Sequence, residues 1–438
     1  MKRLVITCFL LALAAAQPSF LSSLQSHPSW RAAEARYRAA QINAQLSPNW
    51  IELDSLAGWA RSELDQGEPC PFLNDPDPTN DIFCGFISPD LPEKIGQAQI
   101  GVTIRPIPFG DYADKKRQAL IERQLAVLDF RNAKARLESE ALRTALSVLE
   151  AERGLELALE GRRFAKKALD ATQIRADKGA ANPRELRDAK LSFARAEEQV
   201  LSAQESLTIA QSALRTFTGK PPPTPPWFRT PLPRTEPPEI TRARLQLELA
   251  RVAHDHAGRD LLPVVQFEYR QKLDDDNLVG VTLESRTLGT RLYYDYSSYA
   301  NAERTRTDRQ LRIGARLNLS LDTWSRLEQA RNHVTAAEAA LKAARRTASV
   351  KLEQRAMAIK QSVRAVSLAE RALENAKKAE QETEKRLDLG LSTPLEHLRS
   401  QLDRLKAEFQ LTKARHDVLR AQLDYLVYLG IPPSEVWR

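Results

Sequence analysis

The sequence has little of what a polytopic helical membrane protein or a compact globular domain would contain. Its 438 residues include only 16 glycines and 3 cysteines, and the mean hydropathy is −0.45. After its first residues, the chain has no run of the roughly 18 to 20 uncharged apolar residues that a membrane helix needs. Because apolar residues are spread through charged segments rich in helix formers, the composition favours elongated helices over compact cores or disorder.

The first residues are typical of a targeting segment. Lys2 and Arg3 precede an apolar stretch over residues 4–13 and small residues at 14–16. This order predicts a signal peptide, residues 1–16, and therefore an exported protein. Cys8 lies inside the apolar stretch, so we expect no lipid anchor. The formal net charge of +8 is too weak along so long a chain to indicate nucleic acid, and it favours solvated helix surfaces.

Catalytic motifs are also lacking. The sequence has no phosphate-binding glycine loop and no metalloprotease histidine pair, and its six histidines are scattered. His254 and His256, with Asp255 and Asp260 nearby, come closest to a metal site. Residues two apart point to different faces of a helix, so a solvated face is the preferred interpretation. We expect no enzyme, with no catalytic residue, no cofactor and no metal.

Two cysteines remain in the predicted mature chain. Cys70 and Cys84 lie in a segment rich in Pro, Asp and Asn, residues 66–91, which predicts a loop. In an exported protein such an isolated pair indicates a disulfide, because no further Cys or His is near enough to complete a metal site. Closing a loop of about 15 residues would stabilise the fold by roughly 3 kcal/mol.

An internal repeat with an offset of 211 residues is the most informative feature of the sequence. The matches extend without a gap from Asp111 and Asp322 to the Pro pairs at 221–222 and 432–433. Freely varying loops do not conserve length in this way, so the repeat indicates helices whose register is fixed by their neighbours.

Each repeat predicts a long helix, a sharp break and a returning helix. Residues 111–178 and 322–389 contain no proline, and about 68 helical residues would extend roughly 100 Å. A Gly and a Pro then suit a helix end and the start of a returning helix, at 183–217 and at 394–428. Because the returning helices are shorter, each long helix must overhang or be interrupted. If the first long helix is interrupted, Gly154 and Gly161 are the candidate position.

The returning helices carry apolar stripes with coiled-coil spacing. In the second repeat one stripe runs from Leu398 to Leu426, and another on an adjacent face runs from Ala407 to Tyr425. Two stripes imply two neighbours, which favours a layered or cylindrical assembly of helices. An ordinary two-stranded coiled coil with a broad apolar face is the alternative.

Ahead of each hairpin the apolar residues alternate with period two, which predicts strands. The expected strands are at about 50–61 and 98–109 in the first repeat, and at about 263–273 and 309–321 in the second. An extra hairpin is compatible with residues 278–297. Aromatic residues cluster on these strands, as in a transmembrane β-barrel. One chain supplies too few strands to close a barrel without a lipid-exposed edge, so we expect it to oligomerise.

This arrangement resembles the TolC-like outer-membrane efflux proteins, also called outer membrane factors, over nearly all of the mature chain. The most specific segments run from Arg386 to Gly390 and on through Leu398 to Gly430, with a parallel run from Arg175 to Gly219. The resemblance implies a mainly α fold with a β part, in which a strand pair plus a long helical hairpin is duplicated. It also implies a homotrimer with a 12-stranded outer-membrane β-barrel, four strands from each chain, continued by a periplasmic α-helical coiled-coil tunnel.

The expected organisation follows from the repeat. After the signal peptide come a first repeat with its hairpin at 111–219, a Pro-rich linker, a second repeat with its hairpin at 322–430, and a tail; the bounds are 17–222, 223–238, 239–433 and 434–438. We leave open whether residues 278–297 add to the barrel or form an extracellular extension.

The resemblance implies a passive exit duct of a tripartite efflux or type I secretion system, for small molecules or proteins. The duct would lie in outer-membrane lipid, extend into the periplasm and dock with a periplasmic adaptor (membrane fusion protein) and an inner-membrane transporter. The alternative is a periplasmic coiled-coil adaptor or envelope-spanning structural protein. The expected adaptor-contact tip comprises Gly179, Leu389, Gly390, Leu391 and Ser392, although both glycines are equally explained as helix caps.

The charges near each turn are the candidate gate. They are Arg175 with Asp177 and Arg386 with Asp388. Residues two apart do not face each other on a helix, so pairs between neighbouring helices are expected, each exposed pair contributing about 0.2 to 1 kcal/mol. Solvated charges near helix ends are an equally good interpretation, since Arg there also suits the helix dipole.

Overall fold

The structure is a computed structural model of the chain. It describes residues 20–46, 50–61, 94–225, 228, 232–274, 276–299, 309–317 and 320–437. The expected signal peptide and the Cys70–Cys84 pair lie outside these residues. Contacts divide the chain into two units. The first comprises Met1–Ala39, Gln124–Arg244 and Ala340–Arg438, and the second comprises Ala40–Arg123 and Leu245–Ala339.

Most of the described chain is helical. The helices are α1 (Pro28–Leu46), α2 (Gly110–Asp177), α3 (Pro183–Phe217), α4 (Pro238–Arg259), α5 (Leu321–Asp388), α6 (Pro394–Tyr428) and α7 (Pro433–Val436). The bounds of α5 and α6 lie 211 residues after those of α2 and α3, so the repeat in the sequence is a repeat of helices. None of the helices that the structure describes is both long and apolar enough to cross a membrane.

The interruption of α2 considered at Gly154 and Gly161 does not occur, because the helix is continuous through both residues. A glycine inside a helix costs only about 0.5 to 1 kcal/mol relative to alanine, which packing on either side can offset.

Shorter helices pack along parts of the long ones. In the first unit α1 packs on α2, with the ring of Phe130 5.8 Å from Trp30 and 5.5 Å from Tyr37.

The core of the first unit lies where three helices and the start of the described chain meet. It is formed by the middle of α2, the end of α3, the end of α6 and residues near Phe20. Leu142 and Leu146 of α2 and Leu423 and Leu426 of α6 are completely buried there. Leu423 and Leu426 belong to the first apolar stripe of α6, and Leu411 and Tyr425 of the second stripe are also buried. Both stripes of this helix are therefore used.

The second unit contains one antiparallel sheet. Its strands are β1 (Ile51–Arg61), β2 (Lys94–Ile104), β3 (Val264–Lys272), β4 (Asn277–Glu284), β5 (Thr290–Tyr299) and β6 (Arg309–Arg316). They are ordered β1-β2-β5-β4-β3-β6, and every neighbouring pair is antiparallel. The residues predicted as an extra hairpin form β4 and β5, so the sheet has six strands where the resemblance implied four.

Two predicted strand bounds are corrected by the structure. The strand expected at 98–109 ends at Ile104, because Pro106 and Pro108 cannot donate to a strand ladder. The strand expected at 309–321 ends at Arg316. Helix α5 begins at Leu321, where the Ser320 hydroxyl accepts a hydrogen bond of 3.2 Å from the backbone N–H of Thr323. That contact is an N-cap, which marks a helix start.

Candidate functional site

The sheet has one apolar face. Residues paired across neighbouring strands share a face, and alternate residues along a strand do too. One face carries, in the described side chains, Ile51, Leu53, Ile100, Val102, Val265, Phe267, Val279, Val281, Leu283, Leu292, Tyr294, Tyr296, Leu311 and Ile313. Most of these are exposed to solvent in the single chain, and Leu53 and Ile313 are about 70% exposed, at 72% and 69%. An exposed apolar surface of this extent marks an interaction with lipid or protein.

The opposite face is polar and charged. It carries Glu52, Asp54, Gln97, Gln99, Thr103, Glu268, Arg270, Lys272, Thr282, Glu284, Arg291, Asp295, Gln310 and Arg312. Arg291 pairs with Asp54. Glu268 accepts a hydrogen bond of 2.8 Å from Tyr293 and pairs with Arg270 at 2.7 Å. Strands that alternate between an apolar and a polar face are typical of the wall of a transmembrane barrel, with lipid outside and water inside.

The turns between the long and returning helices share one geometry. Gly390 has a φ of +71°, and the N–H of Leu391 donates to the carbonyl of Arg386 at 2.7 Å. Gly179 has a φ of +75°, and the N–H of Ala180 donates to the carbonyl of Arg175, also at 2.7 Å. A left-handed residue followed by this bond is a Schellman cap, which glycine adopts without strain. The cap therefore explains both glycines of the expected tip.

The returning helices begin with different caps. Thr393 and Glu396 form a capping box, in which each side chain accepts from the other residue's backbone N–H, and the Ser392 hydroxyl donates to Glu396 at 2.7 Å. At the first turn Asn182 caps α3 alone. The equivalent acid, Glu185, is free to pair with Arg175 at 3.0 Å.

These caps distribute the four candidate gate residues unequally. Arg175 pairs with Glu185, and Asp177 accepts a hydrogen bond of 2.9 Å from Gln173. Among the described residues, neither Arg386 nor Asp388 takes part in a side-chain hydrogen bond or a salt bridge, and no such contact joins the two turns. Within this single chain one interhelical pair, Arg175 with Glu185, forms at the first turn, whereas Asp177 bonds within α2. The charges of the second turn are exposed.

The second turn also exposes two large apolar side chains. Leu389 and Leu391 are 73% and 70% exposed. The equivalent positions in the first turn hold Lys178 and Ala180. An exposed pair of leucines held on a turn that is capped on both sides is suited to burial against a partner.

A charged cluster in the second unit contains His256, for which the sequence favoured a solvated helix face. The ring of His256 lies 3.1 Å from Asp111 and 3.9 Å from Asp114. Asp114 also pairs with Arg259, and Asp111 with Arg286. Two guanidinium groups already neutralise these carboxylates, so the cluster is better suited to fastening helix ends than to holding a cation.

Sequence reasoning missed two polar contacts of α2 in the first unit, each of which includes a buried side chain. Glu150 of α2 receives hydrogen bonds from His416 at 3.0 Å and Arg420 at 2.7 Å of α6, and His416 is only 4% exposed. Glu138 of α2, 1% exposed, accepts from the backbone N–H of Ser434 at 2.8 Å. His416 lay within the first apolar stripe, and a titratable residue on an apolar stripe was the signal for such a contact.

The chain has a recognisable family. Residues 21–220 and 234–430 match the sequence model of a family described as "Outer membrane efflux protein". These ranges cover most of the chain and leave the Pro-rich segment between them. No curated protein sequence matches the chain.

Solved outer-membrane channels have a similar fold. The outer membrane protein VceC from Vibrio cholerae is 16% identical with a TM-score of 0.66, covering 95% of this chain and 96% of VceC. The Campylobacter jejuni CmeC outer membrane channel is 13% identical with a TM-score of 0.63, over 94% and 85%. The Neisseria gonorrhoeae MtrE outer membrane channel, in its open state, is 15% identical with a TM-score of 0.61, over 95% and 89%. The mainly helical fold with a β part, expected from the sequence, is confirmed.

Proposed function

This chain belongs to the outer membrane efflux protein family and is an exit duct for efflux systems in the outer membrane, extending into the periplasm, and we propose that three copies of it form one channel. The family is one of transport ducts rather than enzymes.

The open sheet is the observation that supports assembly of several copies, and the number three is the one that the family resemblance implies. Among the strands that the structure describes, β1 pairs only with β2, and β6 pairs only with β3. Each therefore has one row of backbone N–H and C=O groups without a ladder partner in the described chain. In a bilayer each unsatisfied group of this kind costs several kcal/mol, so a barrel wall must be closed by further strands. Other copies of the same chain supply such edges, since β1 of 11 residues is long enough to cover the 8 residues of β6.

Exposed apolar side chains on the helices of the first unit support the same conclusion. Leu201 and Ile209 of α3 are exposed, as are Val350, Val363 and Leu368 of α5. Apolar residues on long helices are expected to face a neighbouring helix. Three copies arranged in a ring would bury them and would close a helical tunnel.

We propose that the second turn docks with a periplasmic adaptor, and through it with an inner-membrane transporter. Leu389, Leu391 and Ser392 around Gly390 would form the main contact, and the turn at Gly179 a secondary one. The support is the pair of exposed leucines on the second turn, which the first turn lacks. Cargo would then pass through the duct passively.

Native mass measurement of the purified protein in detergent and in lipid nanodiscs tests the trimer. We expect three times the chain mass in both. Heating before electrophoresis should convert a slowly migrating trimer into a monomer, which is the matched control for non-covalent assembly. A stable monomer inserted in nanodiscs would contradict the proposal.

A further inference from the structure

The hairpin formed by β4 and β5 occupies the middle of the sheet. It is inserted between the two strand pairs expected from the sequence, β1 with β2 and β3 with β6. Strand β5 pairs with β2 from Ile95↔Tyr299 to Ile104↔Thr290, over almost the whole of β2. Strand β4 pairs with β3 from Lys272↔Leu278 to Gln266↔Glu284. The hairpin therefore spans the same depth as its neighbours and has no free edge.

The turn between β4 and β5 is bound by ion pairs to residues at the ends of two helices. Arg286 in the turn pairs with Asp111, in the first turn of α2, and with Asp260, just after α4. The carbonyl oxygen of Arg286 accepts a hydrogen bond of 3.4 Å from the backbone N–H of Asp111. It also lies so close to Gly110 that a Cβ there would overlap it. These contacts hold the turn beside the start of α2, which follows β2, and the end of α4, which precedes β3.

Side chains also join the hairpin to the first strand pair. Arg291 of β5 reaches across β2 to pair with Asp54 of β1, and it donates to Gln99 of β2 at 3.2 Å. The pair passes over Gly101, where a Cβ would lie 2.8 Å from Asp54 Oδ1 and 2.9 Å from Arg291 Nε. Any larger residue at 101 would obstruct it. A side chain that joins β5 to β1 across β2 agrees with a hairpin that belongs to the wall.

A second close fit lies within the hairpin. The ring of Tyr293 in β5 covers Gly280 of β4, its directly paired neighbour, and leaves no room for a Cβ there. The Tyr293 hydroxyl continues to Glu268 of β3 at 2.8 Å. The Arg291 guanidinium lies 5.4 Å from the centre of the Tyr293 ring, so these contacts connect the charged face from β1 to β3 through residues of the hairpin.

The six strands can also close with further copies. Strand directions alternate along the sheet, so β1 and β6, at its two edges, run in opposite directions. The β6 edge of one copy can therefore pair antiparallel with the β1 edge of the next, for any number of copies. We propose that each chain contributes six strands to the wall, so that the trimer of the proposed function, on which this inference rests, forms an 18-stranded barrel.

The strand count has a consequence for the pore. Barrel diameter grows roughly linearly with the number of strands. An 18-stranded wall would be about one and a half times as wide as the 12-stranded wall that the family resemblance implies. The barrel would then be wide enough to enclose an aqueous channel, as barrels of 16 to 18 strands do.

Cysteine cross-linking within one chain tests the position of the hairpin. Gln99 of β2 is paired with Asp295 of β5, and the same row continues through Leu278 of β4 to Lys272 of β3. With the hairpin in the wall, positions 99 and 272 are three strands apart, about 14 Å, whereas 99 and 295 are about 5 Å apart. If the hairpin left the wall and β2 met β3, positions 99 and 272 would become neighbours.

The experiment uses two double variants in a Cys70→Ser, Cys84→Ser background, reconstituted in outer-membrane lipid. A thiol reagent with a reach below about 8 Å should link Gln99→Cys to Asp295→Cys and leave Gln99→Cys with Lys272→Cys unlinked, as read by mass spectrometry of the peptides. A cross-link between 99 and 272, with none between 99 and 295, would overturn the inference.

Electron cryomicroscopy of the assembly in nanodiscs gives the second measurement. We expect 18 strands in the wall. Twelve strands, with residues 277–299 outside the wall, would overturn the inference while leaving the trimer intact. An assembly that is not a trimer but has six strands per chain would instead contradict the proposed function, so the two failures are distinguishable.

Discussion

At the scale of single residues, the half-buried carboxylate of Glu150 makes the stability of the fold depend on pH. Burial raises the pKa of this carboxyl, but hydrogen bonds from His416 and Arg420 outweigh burial and hold the pKa below its ordinary value of 4.5. A lowered pKa means that the Glu150 carboxylate binds a proton less readily in the folded state than in the unfolded state. The stability from Glu150 is therefore present above about pH 4.5 and is lost as the pH falls through the lowered pKa.

We expect Glu150→Gln to lose stability near neutral pH, by about 1 to 3 kcal/mol, because His416 and Arg420 lose a charged partner. Thermal unfolding of the detergent-purified protein between pH 7 and pH 3 measures this. The difference from the wild type should shrink as the pH falls below about 4.5. Glu374→Gln is the control, since Glu374 pairs with Lys378 on an exposed surface and should change little. A pH-independent difference at Glu150 would contradict the assignment.

Gly110 shows a different constraint at this scale. Its φ is +53°, and the Arg286 carbonyl occupies the space where a Cβ would stand. Gly110→Ala should destabilise the protein by at least about 1 to 2 kcal/mol, from the left-handed backbone alone. The control is Gly154→Ala, at a helical position with nothing within 4 Å of a Cβ, which should stabilise by about 0.5 to 1 kcal/mol. Circular dichroism melts should show shifts of opposite sign, and shifts of the same sign would contradict this explanation.

At the scale of elements, the two faces of β6 predict opposite responses to one substitution. Ile313 lies on the apolar face and Gln310 on the polar face of the same strand. Ile313→Lys should reduce insertion into the outer membrane, since a lysine facing lipid costs about 2 to 4 kcal/mol near the bilayer midplane. Gln310→Lys should be tolerated. Membrane fractionation and heat-modifiable migration report both, and equal insertion of the two variants would contradict the assignment of the faces.

The second helical turn yields a prediction about docking. Leu391→Asp should leave trimer formation unchanged, because the side chain is exposed, but it should abolish export by removing an apolar contact with the adaptor. Ala180→Asp, at the equivalent position of the first turn, is the matched control and should reduce export less. Dye efflux and drug tolerance of cells that carry the complete system measure the effect. Normal export by Leu391→Asp would contradict the docking proposal and leave the turn at Gly390 with only a helix-capping role.

Much of the helical part could be predicted from the sequence, because its signals are local. A glycine that must adopt positive φ and a proline four residues later define the end of α5 and the start of α6 without knowledge of any partner. Strand order could not be predicted, because it depends on contacts between residues far apart in the chain. Arg291 reaches Asp54 across 237 positions, and nothing near either residue indicates that Gly101 makes room for the pair.

At the scale of the whole molecule, the two repeats are more alike in backbone conformation than in the contacts of their side chains. The equivalent acids Glu185 and Glu396 differ in use, since one pairs with Arg175 and the other completes the capping box of Thr393. The pKa of Glu396 is lowered by its hydrogen bonds to the backbone N–H of Thr393 and to Ser392, with a smaller effect of Arg386. The duplicated turns have therefore diverged into one that satisfies its own charges and one that exposes them.

This divergence predicts an unequal contribution to gating. We propose that the closed periplasmic mouth is held by contacts between copies, and that Arg386 and Asp388 supply them, whereas Arg175 and Asp177 are used within their own hairpin. Several exposed pairs of about 0.2 to 1 kcal/mol each could hold a ring of three chains closed and still release it on docking.

Conductance of purified trimers in planar bilayers tests this gate. Arg386→Ala with Asp388→Ala should raise the single-channel current and weaken block by multivalent cations, because the charges that close the mouth and attract the blocker are removed. The matched variant, Arg175→Ala with Asp177→Ala, should change the current less. High salt should reduce the difference between wild type and the first variant, because exposed ion pairs are screened. Equal currents in all three proteins would place the gate elsewhere in the tunnel.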